Sequence, residues 1–381
     1  MSIGFLTPEY PHEKATHAAG IGTSVKNLAE ALRDEGVTVS VFIYGQNIDE
    51  LFFEEGIKVH LIKTRHFGFF TWIRYRKFIQ NYLNYYIRKE YIDVIEAADW
   101  TGITAFMKLK APLVIRFHGS DAYFCSLEKR KQKFKNFIFE KIAIMNGDAY
   151  VSPTHFAAKV TRSIFKLNKE VMTIPNGISI KKFNNDSPGS FQKGMILYVG
   201  TIIRKKGVLE LPKIFDFVLK KNPDAELFLI GPDSPDYSTG AQSTWELLQS
   251  ELHGETRNRV KYLGKVPYEQ VTAYIKNANV CVFPTFAETM GMVTIESMAM
   301  SKAVVNSDIG WSQELIEDSV NGFLVHPKDH HKFAERIHEI LSDKELCLKL
   351  GAAARLRAEN TFDITKTVKD NISFYNSILQ R

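Results

Sequence analysis

At 381 residues, with 45% apolar and 24% charged side chains, the chain has the size of two ordinary domains and the composition of a globular protein. Its three cysteines, Cys125, Cys281 and Cys347, are widely separated and form no CxxC pair, so neither a disulfide framework nor a zinc site is indicated. The net charge of +6 is modest, but the cationic excess lies in the first half, which points to an anionic surface or ligand there.

Ile3–Leu6 reads as a first strand. No charged n-region or apolar h-region marks a signal peptide, and no run approaches the ~18 apolar residues of a membrane span, so the cytoplasm is the expected compartment. A polar loop from Thr7 to Ala19 carries His17. The chain then turns at Gly20 and Gly22 into a helix with Val25, Leu28, Ala29 and Leu32 at helical spacing, and Val37–Tyr44 alternates as a second strand. This order opens a doubly wound α/β domain. Gly20 and Gly22 would let a ligand approach the backbone and leave helix amides free for an anion. A dinucleotide fingerprint would need Gly or Ala where Val25 stands, and a first Gly directly after the strand.

Residues 57–62 form another strand. From Lys63 to Tyr91 basic and aromatic residues interleave, with no acid between Glu55 and Glu90. Either a solvated amphipathic helix or contact with an anionic membrane surface would account for the pattern. Such residues also serve nucleic acids, but no nucleic-acid motif accompanies them. Strands Ile92–Glu96 and Leu113–Phe117 end beside Asp99 and His118. Ligands of open α/β sheets bind beyond strand carboxyl ends, so Glu96, Asp99 and His118 are candidate site residues, and His17 in the loop Thr7–Ala19 is a candidate on the acceptor side. Lys129 to Met145 reads as a second basic helix. Residues 179–194 are polar and rich in Gly, Pro, Asn and Ser, a linker pattern.

After it the βα pattern restarts at Met195–Val199, followed by a loop with Arg204 and Lys206. The strand Val280–Phe283 leads through Gly291 into a helix. The helix's first amides, those of Met292 and Val293, make an anion site flanked by Glu288 and Glu296. Carboxylates on both sides of a phosphate suit a nucleotide-sugar, which has hydroxyls at both ends. Two βα domains follow: 1–180, then a linker at 181–194, then 195–363, with a terminal helix at 364–381 long enough to fold back on the first.

The segments AGIGTSVKNLAEALRDEG, RFHGSD, IPNGI, YVGTIIRKKG, LFLIGP, VKYLGKVPYEQVTAYIKNANVCVFPT and AETMGMVTIESMAM together resemble glycosyltransferase family 4. These are retaining enzymes of the GT-B fold, an α/β architecture of two Rossmann-like doubly wound domains facing across a cleft. The resemblance covers nearly the whole chain. It implies a donor-binding second domain in which Glu296 holds the ribose and Glu288 the sugar hydroxyls. Gly291, Met292 and Val293 would bind the diphosphate and hexose, and Lys206, with Arg204, would clamp the phosphates. In the first domain Gly20 and Gly22 would approach the diphosphate and His118 the reacting carbon. Glu96, Asp99 and His17 would border the acceptor. The family has Glu-Gly-Phe-Gly where this chain has Glu288-Thr289-Met290-Gly291, and Arg where it has Thr201. The implied activity is metal-independent transfer of a hexose from a UDP- or GDP-linked donor to a hydroxyl acceptor in envelope polysaccharide or glycolipid synthesis. No cofactor, metal or nucleic acid is expected, and a peripheral place on the inner membrane face is. A nucleotide-sugar epimerase and a non-catalytic sugar-binding homologue are the alternatives.

Overall fold

The computed structural model describes residues 1–380 and divides into two compact units. The first comprises Met1–Ser179 with Asp363–Arg381, the second Ile180–Phe362.

In the first unit the order is β1 (Ser2–Thr7), α1 (Gly20–Asp34), β2 (Thr38–Gln46), β3 (Glu50–Glu54), β4 (Ile57–Lys63), α2 (Thr71–Glu90), β5 (Val94–Ala98), β6 (Leu113–Arg116), α3 (Asp121–Leu127), α4 (Phe134–Met145), β7 (Ala149–Ser152), α5 (His155–Phe165) and β8 (Met172–Thr173). The sheet runs β3-β4-β2-β1-β5-β6-β7-β8 and is parallel apart from the edge hairpin β3–β4. The strand order reverses at β1, which pairs with β2 on one side and β5 on the other. That switch point places the loops after β1, β5 and β6 at one end of the sheet, where α/β domains bind ligands.

The hairpin strand β3 falls outside the expected set of strands. Its burial alternates, as a one-sided edge strand's should, and the turn at Glu55-Gly56 takes positive φ at both residues. The basic helix expected over Lys129–Met145 begins only at Phe134. Residues 129–133 form a connection instead, a stretch of like charges that gains nothing from being stacked on one helix.

The second unit contains β9 (Met195–Val199), α6 (Leu211–Lys221), β10 (Glu226–Ile230), α7 (Thr244–Ser250), α8 (Gly254–Arg259), β11 (Val260–Tyr262), α9 (Tyr268–Asn277), β12 (Val280–Phe283), α10 (Met292–Ala299), β13 (Val304–Ser307), β14 (Phe323–Val325), α11 (His330–Ser342) and α12 (Lys344–Thr361). Its sheet is all parallel, in the order β11-β10-β9-β12-β13-β14. β12 lies between β9 and β13 and is covered on both faces, which is why its sequence, VCVF, is unbroken apolar. The polar segment 181–194 is counted in this unit. Ile180 and Phe183 are buried, and Phe191 packs against the core.

The last helix, α13 (Ile364–Leu379), returns to the first unit. Val368, Phe374, Tyr375 and Ile378 join the core formed by α1 and β1, each such side chain contributing roughly 1.5–3 kcal/mol of apolar burial.

Candidate active site

The second unit's site is built where β9 and β12 end. The chain leaves β12 through Pro284 and enters α10 at Gly291, whose φ of 85° is left-handed. A Cβ there would lie 2.9 Å from the buried Trp311 ring, so both backbone and space require glycine. α10 has no side-chain cap and no acid in its first turn. The amides of Met292 and Val293 therefore have no acceptor within the helix and carry the positive end of its dipole.

The loop after β9 is fastened against this turn. Lys205 accepts at its carbonyl from Phe286 N at 2.9 Å, and Gly207 lies so close to the Pro284 carbonyl that any side chain would overlap it. The next side chain, Lys206, pairs with Glu288 Oε2. Burial raises the Glu288 pKa, but Lys206, the Thr289 amide and Lys205 together outweigh it and the net position is below the ordinary value. The arrangement keeps Glu288 ionised and places a cation in the turn that leads to the start of α10.

Glu296 is buried in α10. It accepts a hydrogen bond from the Tyr268 hydroxyl at 2.8 Å. Burial pushes it up to about 7, with the Tyr268 bond pulling the other way. Arg204 does not stand open: its Nε and Nη2 lie 2.8 and 2.7 Å from Asp236 Oδ1 and Oδ2, a bidentate pair. Asp236 is held well below the usual carboxylate range, by Arg204 first, and Thr239 adds two further bonds.

In the first unit the structure corrects three expectations. Gly22 does not offer its amide to a ligand. Glu9 Oε1 accepts from it at 2.9 Å, and a Cβ on Gly22 would meet the Glu9 carbonyl carbon at 2.8 Å. Glu9 also accepts from Ile21, and burial raises its pKa. Gly20, two residues earlier, has open space around it. Glu96 does not face an acceptor. It is buried in a bidentate pair with Arg116, at 2.6 and 3.0 Å, and receives the Tyr375 hydroxyl at 2.7 Å. An ion pair out of water needs every partner it can get, and α13 supplies two of them, Tyr375 and the Asn371 oxygen at 2.6 Å from Arg116. Asp99 is likewise buried, not exposed to an acceptor. Its Oδ1 accepts from His118 N at 2.9 Å, and the amides of Gly119 and Ser120 also donate to it.

Asp99 therefore fixes the turn that carries His118. Burial, with the Glu140 carboxylate adding, pushes Asp99 up to about 8, and its buried Oδ2 has no acceptor or donor. Burial, with the Arg116 charge adding, pushes the His118 imidazole down to about 3, so it is neutral. His17 is exposed in the loop after β1.

Tyr268, Asp236 and Glu9 were missed from sequence. Only Glu9 left a signal: α1 starts at Ala19-Gly20 with no capping side chain and no acid in its first turn, so its amides need an acceptor from elsewhere.

Comparison with known proteins fits this geometry. The model of glycosyltransferase family 4 matches residues 18–182, and that of glycosyl transferases group 1 matches residues 180–357. The chain belongs to glycosyltransferase family 4, group 1. It is 27% identical over 260 residues to the capsular polysaccharide biosynthesis glycosyltransferase CapM of Staphylococcus aureus, a match spanning 65% of this chain and 66% of that one. It is 26% identical to an uncharacterized glycosyltransferase of Methanocaldococcus jannaschii, with 90% of each chain covered. Among solved structures, sucrose-phosphate synthase from Thermosynechococcus elongatus superposes with a TM-score of 0.81 at 20% identity, covering 100% of this chain and 99% of that one. Anabaena HepE in complex with UDP-glucose superposes at 0.71 with 19% identity, covering 98% and 99%. These likenesses show the GT-B fold.

Proposed function

We propose that the protein transfers a hexose from a nucleoside-diphosphate sugar to a hydroxyl acceptor, with retention at the anomeric carbon and without a metal. The observation that carries this is the turn from β12 into α10, where free amides lie between Glu288, paired to Lys206, and Glu296. Departure of the leaving group puts negative charge on the diphosphate. Preorganised amides and Lys206 meet that charge where it develops, usually the largest catalytic contribution. Glu288 binds the sugar hydroxyls and Glu296 the ribose. His118, neutral, donates or accepts a hydrogen bond at the sugar without competing for charge. The acceptor proton passes to a donor phosphate oxygen on the same face, so no protein nucleophile is assigned.

The names of the relatives, capsular polysaccharide synthesis for one and binding of UDP-glucose for a structural neighbour, support a UDP-linked donor and a glycoconjugate product. On that reading the protein works in the cytoplasm, peripheral to the inner membrane face. A panel of nucleotide-sugars, with products read by mass spectrometry, tests the proposal. Transfer should require an acceptor and fall at least tenfold in Glu296→Ala, a loss of about 1.4 kcal/mol of transition-state binding. A new nucleotide-sugar formed without acceptor would favour the epimerase instead.

A further inference from the structure

The body of α2 offers little of the basic aromatic segment to a partner. Most rings of Lys63–Tyr91 turn inward: Tyr82 and Tyr86 pack with His60 and Phe42, and Phe78 stacks with Tyr75. Tyr85 and Tyr91 also reach water toward the far end, but two phenylalanine rings stand together at the start of the helix, where Phe69 is 88% and Phe70 66% exposed. Phe70 also holds a left-handed backbone, φ 58°, unfavourable for a bulky residue. The Phe70 backbone opens α2, its carbonyl accepting from Ile73 N and Arg74 N, while its ring stays in water.

A second segment meets it there. Trp72 of α2 packs on Phe139 of α4, ring centroids 4.8 Å apart, and Lys135 Nζ lies 5.4 Å over the Trp72 ring. The start of α4 is thus within a lysine's reach of the start of α2. It brings Phe134, 78% exposed, with exposed Lys129, Lys131, Lys133 and Lys135. Residues 129–139 contain no acid, and neither do residues 56–89. The neighbouring Glu128 is engaged by Arg130, and Glu140 is buried under α3.

We propose that Phe69, Phe70 and Phe134, ringed by Lys131, Lys133, Lys135 and Arg74, form a docking face for an anionic lipid bilayer. Charge complementarity selects a negative partner. Phenylalanine, with no polar tip, gains only by leaving water, which a headgroup–acyl boundary allows and a phosphate backbone does not. The proposal goes beyond sugar transfer and does not depend on it.

Sedimentation of the full chain with vesicles tests it. Vesicles of phosphatidylcholine with phosphatidylglycerol should bind at low salt, and those of phosphatidylcholine alone should bind far less. Each basic side chain near an anionic surface is worth roughly fivefold, so Lys131→Gln with Lys133→Gln and Lys135→Gln should weaken binding about 100-fold. Phe69→Ser with Phe134→Ser should weaken it on the phosphatidylglycerol vesicles and persist at higher salt. Tyr91→Ser, at the far end of α2 and ~30 Å away, should change nothing. All these side chains are exposed, and unchanged thermal melting checks the folds. No binding to anionic vesicles overturns the proposal. So does binding unmoved by either triple or double variant, preferential binding of single-stranded nucleic acid through the same lysines, or a dimer that Phe134→Ser dissociates while vesicle binding is absent.

Discussion

Tyr268 donates its hydroxyl to Glu296 Oε1 at 2.8 Å, holding a carboxyl that burial pushes up to about 7 from 4.5. A group whose folded pKa lies above its unfolded one stabilises the fold below the unfolded value and loses that contribution as pH rises through the folded one. The wild type should therefore lose stability between pH 4.5 and about 7, and Glu296→Gln should flatten that loss. On the proposed function, in which Glu296 holds the ribose, donor affinity should run the other way, because the ionised carboxylate is the better acceptor for hydroxyls. Calorimetric titration of a nucleoside diphosphate across that window should show affinity rising with pH. Tyr268→Phe removes the bond that lowers the pKa and should move the midpoint upward.

Lys206 has a catalytic and an electrostatic consequence. On the proposed function Lys206 meets the developing diphosphate charge, so Lys206→Ala should lower kcat about 10²–10³-fold. The same change removes the main charge that opposes burial at Glu288. A carboxyl with a depressed pKa stabilises the fold above its unfolded value of 4.5 and loses that as pH falls through the folded one. Acid unfolding of Lys206→Ala should therefore begin at higher pH than in the wild type, measured by circular dichroism along a pH series.

Glu96, Arg116 and Tyr375 tie the last helix to the middle of the first sheet. Breaking a buried ion pair from one side costs about 3–5 kcal/mol, and losing a hydrogen bond to a charged group about 1.5–3 kcal/mol. Glu96→Ala should fall in the first range and Tyr375→Phe in the second, by urea unfolding. Tyr375→Phe should leave the acceptor KM unchanged, which a Glu96 at the acceptor site would not.

The parallel strands were legible because β12, β9 and β1 are short apolar runs ending at glycine or polar turns. The α10 site was legible because Gly291 and the two glutamates lie within one strand–turn–helix unit. What sequence did not disclose was pairing at a distance. From sequence the strand ends at Glu96, where a ligand-facing role is the default expectation, but β5 runs Val94–Ala98 and Glu96 is its middle residue. Its burial depends on Arg116 and on Tyr375, 279 residues away. Asp236 lies in a loop between β10 and α7 with nothing to mark it as the partner of Arg204. The edge strand β3 was missed because ELFFEE, acid at both ends, offers too short an alternation to stand out.

Gly20 and Gly22 look equivalent in sequence and differ in the fold. A Cβ on Gly22 would lie 2.8 Å from the Glu9 carbonyl carbon and 2.9 Å from Tyr10 Cα. Both are backbone atoms, which cannot swing aside. Gly22→Ala should therefore cost about 1–3 kcal/mol, the usual penalty of overpacking, and loosen the Glu9 contact that caps α1. A Cβ on Gly20 meets nothing within 4 Å, and its φ is not positive. Gly20→Ala should leave stability unchanged or raise it by up to about 1 kcal/mol, since alanine favours the helix. Its effect should appear at the ligand instead: if the donor diphosphate approaches the backbone at Gly20, the added methyl group weakens donor binding. Thermal melting and nucleotide titration of the two variants separate the roles, and unchanged donor affinity in Gly20→Ala would remove that residue from the donor site.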